Sequence, residues 1–500
     1  MKRFYGSYFV LTVALIVTGC GEGNSAGSGN SMTAATAMAP EFFNKRIEGE
    51  ITVSAYDSML YKNYLEEAGR AFEELYPGTK VNVETFSAMP EVRTADQGNM
   101  RATAVQAQDD SQGRSDYLNR VNTNIMSGTG ADIYAMDIIP LHKFIESGTL
   151  ENLDPYMEGD PDFNRADYRQ NILDALRYRD GTWFLPMDYT FNYYAYDSTL
   201  VPAQIAAGFG ADKAWNAEEL FRLGISLYDG SYRLFNAMDF VRGAGGMFNQ
   251  LFSENMTSFV NMETGRPNFT DGGFAGLLSS VSSYAQQGYI PRGITGQQNA
   301  GQIMQRAMGE PTDRFYFKLN GNVSLAGQFG RSVGMMVRMM TGGNAPAIDS
   351  DDEIAGIQAN ADGSVPFRYN QAFAINTQSK NRETAWAFMK FLLSKEMQLS
   401  TNILNLGLPI NNEAREEKAG LTFFGNLPGS RTPNDQQMQA LEAYRASVEK
   451  LSDKINCFVL SDSSLNDMIM SEAQYFFDGS RNADEVARII QNKADLYLSE

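Results

Sequence analysis

The sequence predicts an α/β protein of more than one domain, and three observations point there. Two stretches rich in alternating β-branched residues, ITVSAYDS from Ile51 and TKVNVETFS from Thr79, flank a stretch with helical spacing. That order makes a β-α-β unit and implies a parallel sheet. The composition, 43% hydrophobic with 12% aromatic residues, is enough to bury a large core. Roughly 460 residues follow the small, polar stretch at 21–40, more than one core usually holds.

Taken in order, the chain begins with Lys2 and Arg3, a mostly apolar run from Phe4 to Val17, and VTGC ending at Cys20. The run is shorter than the roughly 20 residues that cross a bilayer as a helix, and the pattern is that of an export signal. VTGC resembles a bacterial lipobox, whose cysteine is diacylated after cleavage; a plain signal peptide with an incidental cysteine is the alternative. The expected signal peptide is 1–19. A flexible tether, 20–43, follows; the glycine-rich residues 21–40 within it would average roughly 25 Å end to end. Between the two predicted strands, Tyr64, Ala68, Phe72 and Leu75 share one helical face, and Pro77-Gly78 ends the helix. Leu118, Val121 and Ile125 form a second stripe, closed by Gly128 and Gly130, before a short strand ADIYAMD and a helix running to Gly148. A hairpin turning at Asp180-Gly181 leads into an aromatic strand. Asn216 with Glu219, and Asn482 with Glu485, have capping-box spacing at two later helices.

Charge and cysteine count exclude several functions. Removing residues 1–19 takes two bases and no acid, so the formal charge of −19 becomes −21. Such a surface repels nucleic acid and anionic lipid headgroups. With Cys20 lipidated, Cys457 has no partner in the chain, so neither a disulfide framework nor a cysteine metal cluster is expected, and Cys457 reads as a small core residue. No metal and no cofactor is expected. GAGGMF has Phe248 where a dinucleotide loop needs its third glycine. Asp349, Asp351 and Glu353 have calcium-loop spacing, but Ile354 stands where the turn glycine belongs. His142 is the only histidine, and no Gly-x-Ser-x-Gly elbow accompanies it, so no histidine triad is expected and His142 is placed on a lobe helix. The Met-rich GMMVRMM at 334–340 reads as a buried strand or helix.

Several ordered blocks then resemble a known family: EEAGRAFEELYPGTKVNVE, NIMSGTGADIYAMD, WFLPMDYTFNYYAYDSTL, AWNAEEL, AFAINTQSKNRETAWAFMKFLLSKEMQ and LGLPINNEA. Together they resemble the bacterial extracellular solute-binding proteins of ABC importers, the family 1, maltodextrin or oligosaccharide type. Ala131 stands where proline is common in that family, and Asp197 where asparagine is. The resemblance implies a two-lobed, periplasmic-binding-protein-like α/β fold, each lobe a mostly parallel sheet flanked by helices, joined by a hinge. The implied lobes are 44–187 with 377–430, and 192–372 with 435–500. Hinge crossings are implied near Pro186–Asn192, Ala372–Thr377 and 425–440. It further implies a non-catalytic receptor, lipid-anchored on the extracellular face of a Gram-positive cell membrane. Such a receptor is a monomer that traps a solute between its lobes and passes it to the membrane subunits of an ABC permease.

Ligands of doubly wound sheets sit beyond the carboxyl ends of strands. That rule selects Tyr56, Asp57 and Asp137, and Asp239 with Phe240 at the rim of a strand ending near Asn236. The crossings add Asp188, Tyr189 and Phe191, then Tyr369, Asn370 and Gln371. Aromatic plates with short polar side chains suit a sugar, which has an apolar face and many hydroxyls. Trp215 and Trp386 read as packing residues and only Trp183 lies near a crossing, which keeps a peptide or other small metabolite as the alternative ligand. A sensory role would use the same cleft, and a glycoside hydrolase would need two of the carboxylates.

Overall fold

The computed structural model describes residues 46–56, 61–86, 93–97, 100–104, 111–230, 233–236, 244–261, 264–290, 315–320, 352–399, 407–417, 435–459 and 462–499. Cys20 and its tether, Asp57, Asp239, Phe240 and the Met-rich stretch at 334–340 lie outside them.

The β-α-β unit forms as expected. Strand Gly49–Tyr56 pairs in parallel with strand Thr79–Phe86, and helix Tyr61–Leu75 connects them. Ile51, Val53 and Ala55 are fully buried at every second position, each contributing up to about 1.5–3 kcal/mol for the larger side chains. On the helix Tyr64, Ala68 and Phe72 are buried, and the Phe72 ring meets Phe388 edge-on at 5.2 Å. Leu75, expected on the same face, is instead 58% exposed: it is the last residue of the helix, just before the turn at Gly78 (φ 108°).

The first sheet has the strand order 79–86, 49–56, 133–135, 372–375, 185–186; the first three run parallel and the last two join antiparallel. The second sheet has the order 233–236, 315–320, 193–197, 352–358, 214–215. Its two outer pairs are parallel, and strand 193–197 is antiparallel to both neighbours. In each sheet four strands run one way and a single strand, 372–375 in the first and 193–197 in the second, runs against them, so each lobe has the expected mostly parallel sheet with one reversed strand, which enters directly from the other lobe. Each sheet carries its own core. The first includes Phe72, Tyr134, Phe184 and Trp386; the second includes Tyr194, Phe221, Phe248 and Phe269. These are the two lobes. The Asn216 capping box is present in full, and the Asn482 side chain accepts from the Glu485 N–H at 2.9 Å. His142 lies buried on helix Leu141–Glu146. Among the described residues no helix is long and apolar enough to cross a membrane.

Among the described residues the chain passes between the lobes three times. It leaves the first sheet at Pro186 and enters the second at Tyr193, as expected. The return runs from Gln358 to Ala372. The expected crossing at 372–377 therefore lies too late, since Ala372–Ile375 is already a buried strand of the first sheet, paired on both edges. The last described pass falls between Ile455 and Leu465; of the crossing expected near 425–440, residues 425–434 lie outside the described residues. Val448, Leu451 and Ile455 belong to the first core and Leu465 to the second, so the end of helix Asp435–Ser452 packs on the first lobe although 435–500 was assigned to the second. Its anchor there is Arg169, which pairs with Glu449 at 2.7 Å and Asp453 at 2.6 Å.

Candidate binding site

The three passes lie side by side. Thr190 and Arg368 exchange backbone hydrogen bonds of 2.7 and 2.9 Å, and the Met187 N–H reaches the Gln371 carbonyl at 2.8 Å. On the other flank Pro366 and Phe367 pair in parallel with Cys457 and Phe458. The middle pass is thus hydrogen-bonded on both sides, a narrow three-stranded bridge between two bodies.

Asp188 braces this bridge. Its buried carboxylate accepts from the Asn370 N–H at 2.9 Å, the Asn370 side-chain amide at 2.9 Å and the Gln371 N–H at 3.2 Å. Gly407 packs against it so closely that a methyl there would overlap the carboxylate. Tyr189 is fully buried, its ring 6.5 Å from that of Phe191 and its hydroxyl 3.5 Å from Ser452 Oγ. Burial raises its pKa. The expected residues Asp188, Tyr189 and Asn370 thus hold the junction together, and Gln371 is buried beside them.

Two cavities open against the bridge, one toward each lobe. The first, of about 560 Å³, is lined by Met136 to Leu141 at the carboxyl end of strand Ile133–Ala135 and by Arg368, Tyr369, Phe458 and Val459. Here Asp137 and Tyr369, two of the expected residues, come together. The Tyr369 ring stacks on Phe458 at 5.4 Å, and its hydroxyl donates to the Met136 carbonyl at 3.0 Å. Burial pushes that hydroxyl's pKa up, and the nearby Asp137 charge adds to the effect.

The second, a narrow cleft, is lined by Thr190, Phe191, Asn192, Ser253, Gln358, Asn360 and the same Arg368 and Val459. A buried polar chain fixes its floor. The Asn192 amide donates to Gln358 Oε1 at 2.6 Å, and the Gln358 amide donates to Glu254 Oε1 at 2.9 Å. Glu254 also accepts from the Tyr194 hydroxyl, from Gln250 at 2.8 Å and from the Ala217 N–H at 3.0 Å. Burial raises the Glu254 pKa, and those donors oppose the rise.

Tyr56 is not part of either cavity. It is 4% exposed in the first core, between the rings of Phe86 at 6.2 Å and Tyr117 at 5.7 Å. Trp183 and Trp386 also serve packing: the Trp183 indole donates to the Tyr178 carbonyl at 3.0 Å and that of Trp386 to Asp160 at 2.7 Å. Sequence reasoning missed Arg368, Asn192, Asn360 and Phe458. Arg368 directly precedes the expected triplet 369–371, and the bridge pairing with Thr190 that displays it has no signature in the chain. Phe458 belongs to a two-residue strand, too short to carry a pattern.

The sequence matches the family model of bacterial extracellular solute-binding proteins over residues 95–399. No curated protein sequence matches the chain. Solved structures share its fold at low identity. The sugar-binding protein MalE from Xanthomonas citri is 14% identical with a TM-score of 0.56, over 90% of this chain and 98% of that one. A family 1 extracellular solute-binding protein from Alicyclobacillus acidocaldarius is 13% identical with a TM-score of 0.55, over 91% and 100%. An ABC substrate-binding protein from Listeria monocytogenes, in complex with cycloalternan, is 16% identical with a TM-score of 0.51, over 90% and 99%.

Proposed function

Because the chain belongs to the family of bacterial extracellular solute-binding proteins, whose members bind solutes and are not enzymes, we propose that it captures an oligosaccharide between its lobes and delivers it to an ABC permease. The observation that carries this reading is the pair of cavities flanking the three-pass junction, where Tyr369 and Phe458 offer stacked rings and Thr190, Asn192, Ser253 and Asn360 offer neutral polar groups. A sugar uses both kinds of surface. Structures of the same fold include a sugar-binding protein and a complex with cycloalternan, which supports the choice of ligand class. Closure follows from ligand contacts to both walls at once, since only a ligand that prefers the closed form shifts the population. The ligand contacts proposed are Asp137, Tyr369, Asn192, Asn360 and Arg368, with Asp188, Tyr189, Asn370 and Gln371 as their support.

In this reading Cys20 carries the lipid, two acyl chains supply stable anchoring, and the tether lets the lobes reach the permease. The protein works as a monomer on the extracellular face. Two experiments test the proposal. A thermal-shift panel of oligosaccharides, monosaccharides and peptides is expected to give a raised melting temperature with an oligosaccharide, whereas a rise with peptides alone contradicts the ligand class. Cys20→Ala is expected to release the protein from the membrane fraction, and membrane retention of that variant removes the anchor.

A further inference from the structure

Arg368, which with Val459 lines both cavities, places a positive charge between them. Its backbone is committed to Thr190, but its side chain is exposed to the cleft. Among the described residues the guanidinium has no ion-pair partner. Arg169 and Arg415, by contrast, are paired, Arg169 with Glu449 and Asp453 and Arg415 with Glu449 at 2.9 Å. Asp137 lines the first cavity too, and its charge acts on Tyr369. The guanidinium stands at the wall of both cavities, and its planar fork of donors matches a carboxylate or sulfate. The second cavity beside it offers no carboxylate of its own, only neutral groups such as Thr190, Asn192, Ser253 and Asn360.

We propose that the site takes a saccharide bearing an anionic substituent, carboxylate or sulfate, held by the Arg368 guanidinium while Thr190, Asn192 and Asn360 meet its hydroxyls. The inference rests on the saccharide reading above and narrows it. Calorimetric titration of the full-length, detergent-solubilised protein tests it with three sets of equal length: neutral oligosaccharides, oligouronates and sulfated oligosaccharides. An anionic set binds tightest, with affinity that falls as salt is added, and which of the two binds identifies the substituent. Arg368→Gln lowers that affinity about 10- to 100-fold, and Arg368→Lys, which keeps the charge but not the fork, lowers it less. Circular-dichroism melting of the unliganded variants, matching that of the parent, verifies that they are folded. Tightest binding of a neutral saccharide, or unchanged affinity of Arg368→Gln for the anionic one, overturns the inference and leaves the receptor reading standing. Binding of peptides with no saccharide of any set overturns both.

Discussion

The Asp188 carboxylate accepts three N–H groups from the middle pass and is 3% exposed. Its neighbour Asn370 donates two of those bonds, so the side chains that sequence reading selects as ligand contacts spend their polarity on each other. Asp188→Ala leaves buried donors unpaired, and at about 1–3 kcal/mol for such a loss a drop of about 3 kcal/mol in unfolding free energy is expected in urea titration. A ligand-contact role alone would leave stability unchanged and alter only affinity. Asp188 and Tyr189 were legible as belonging to a crossing because Leu-Pro followed by an aromatic run marks it, and Asn370 was legible only as lying just before the second. Their role was not, since whether a carboxylate faces a ligand or its own backbone depends on pairing between segments about 180 residues apart. Tyr56 shows the same limit, because the end of a buried strand can point into the core as readily as into a cleft.

At the scale of elements, Asp160 ties helix Arg382–Leu392 to the rest of the first lobe. Its carboxylate, 5% exposed, pairs with Lys390 and accepts from the Trp386 indole. Burial alone would raise its pKa, but the Lys390 ammonium, the Trp386 N–H and the Asp162 N–H together bring it below the ordinary 3.8. A depressed carboxylate contributes stability that is present above about pH 4 and is lost as pH falls through the folded value. Asp160→Asn is expected to cost about 2 kcal/mol at pH 7. That difference from the parent shrinks below pH 4 and is readable in tryptophan fluorescence on unfolding. A constant difference across the acid range would mean that packing, not charge, is what the substitution removes. Helices with a strong stripe or a cap, such as those starting at Tyr61 and Asn216, were plain in the sequence. Helix Asp435–Ser452 was given to the wrong lobe because its placement depends on the ion pairs of Arg169, which lies over 260 residues earlier.

For the whole molecule, the contacts between the lobes among the described residues include the buried pair of His142 and Asp462 at 3.8 Å and more exposed ones. Arg114 meets Asp467 at 3.2 Å, and Lys143 donates to the Tyr497 carbonyl at 3.1 Å. The Arg114–Asp467 pair is 34% and 55% exposed, and pairs of that kind contribute about 0–1 kcal/mol. A surface pair of this kind does not by itself fix the lobe separation, and a ligand that prefers one separation shifts the population toward it. The two-lobed architecture was readable from ordered motifs along the chain. The exact passes were not, because the return pass at 359–371 is defined by partners on both flanks and not by any pattern of its own.

Hydrogen exchange of the full-length chain, with and without an oligosaccharide that raises its melting temperature, tests the central claim most directly. The account predicts ligand-dependent protection at 187–192, 359–371 and 457–459, where the three passes line both cavities. Protection confined instead to the second-lobe groove around Phe221, Leu251 and Tyr284, with the three passes unchanged, would contradict it.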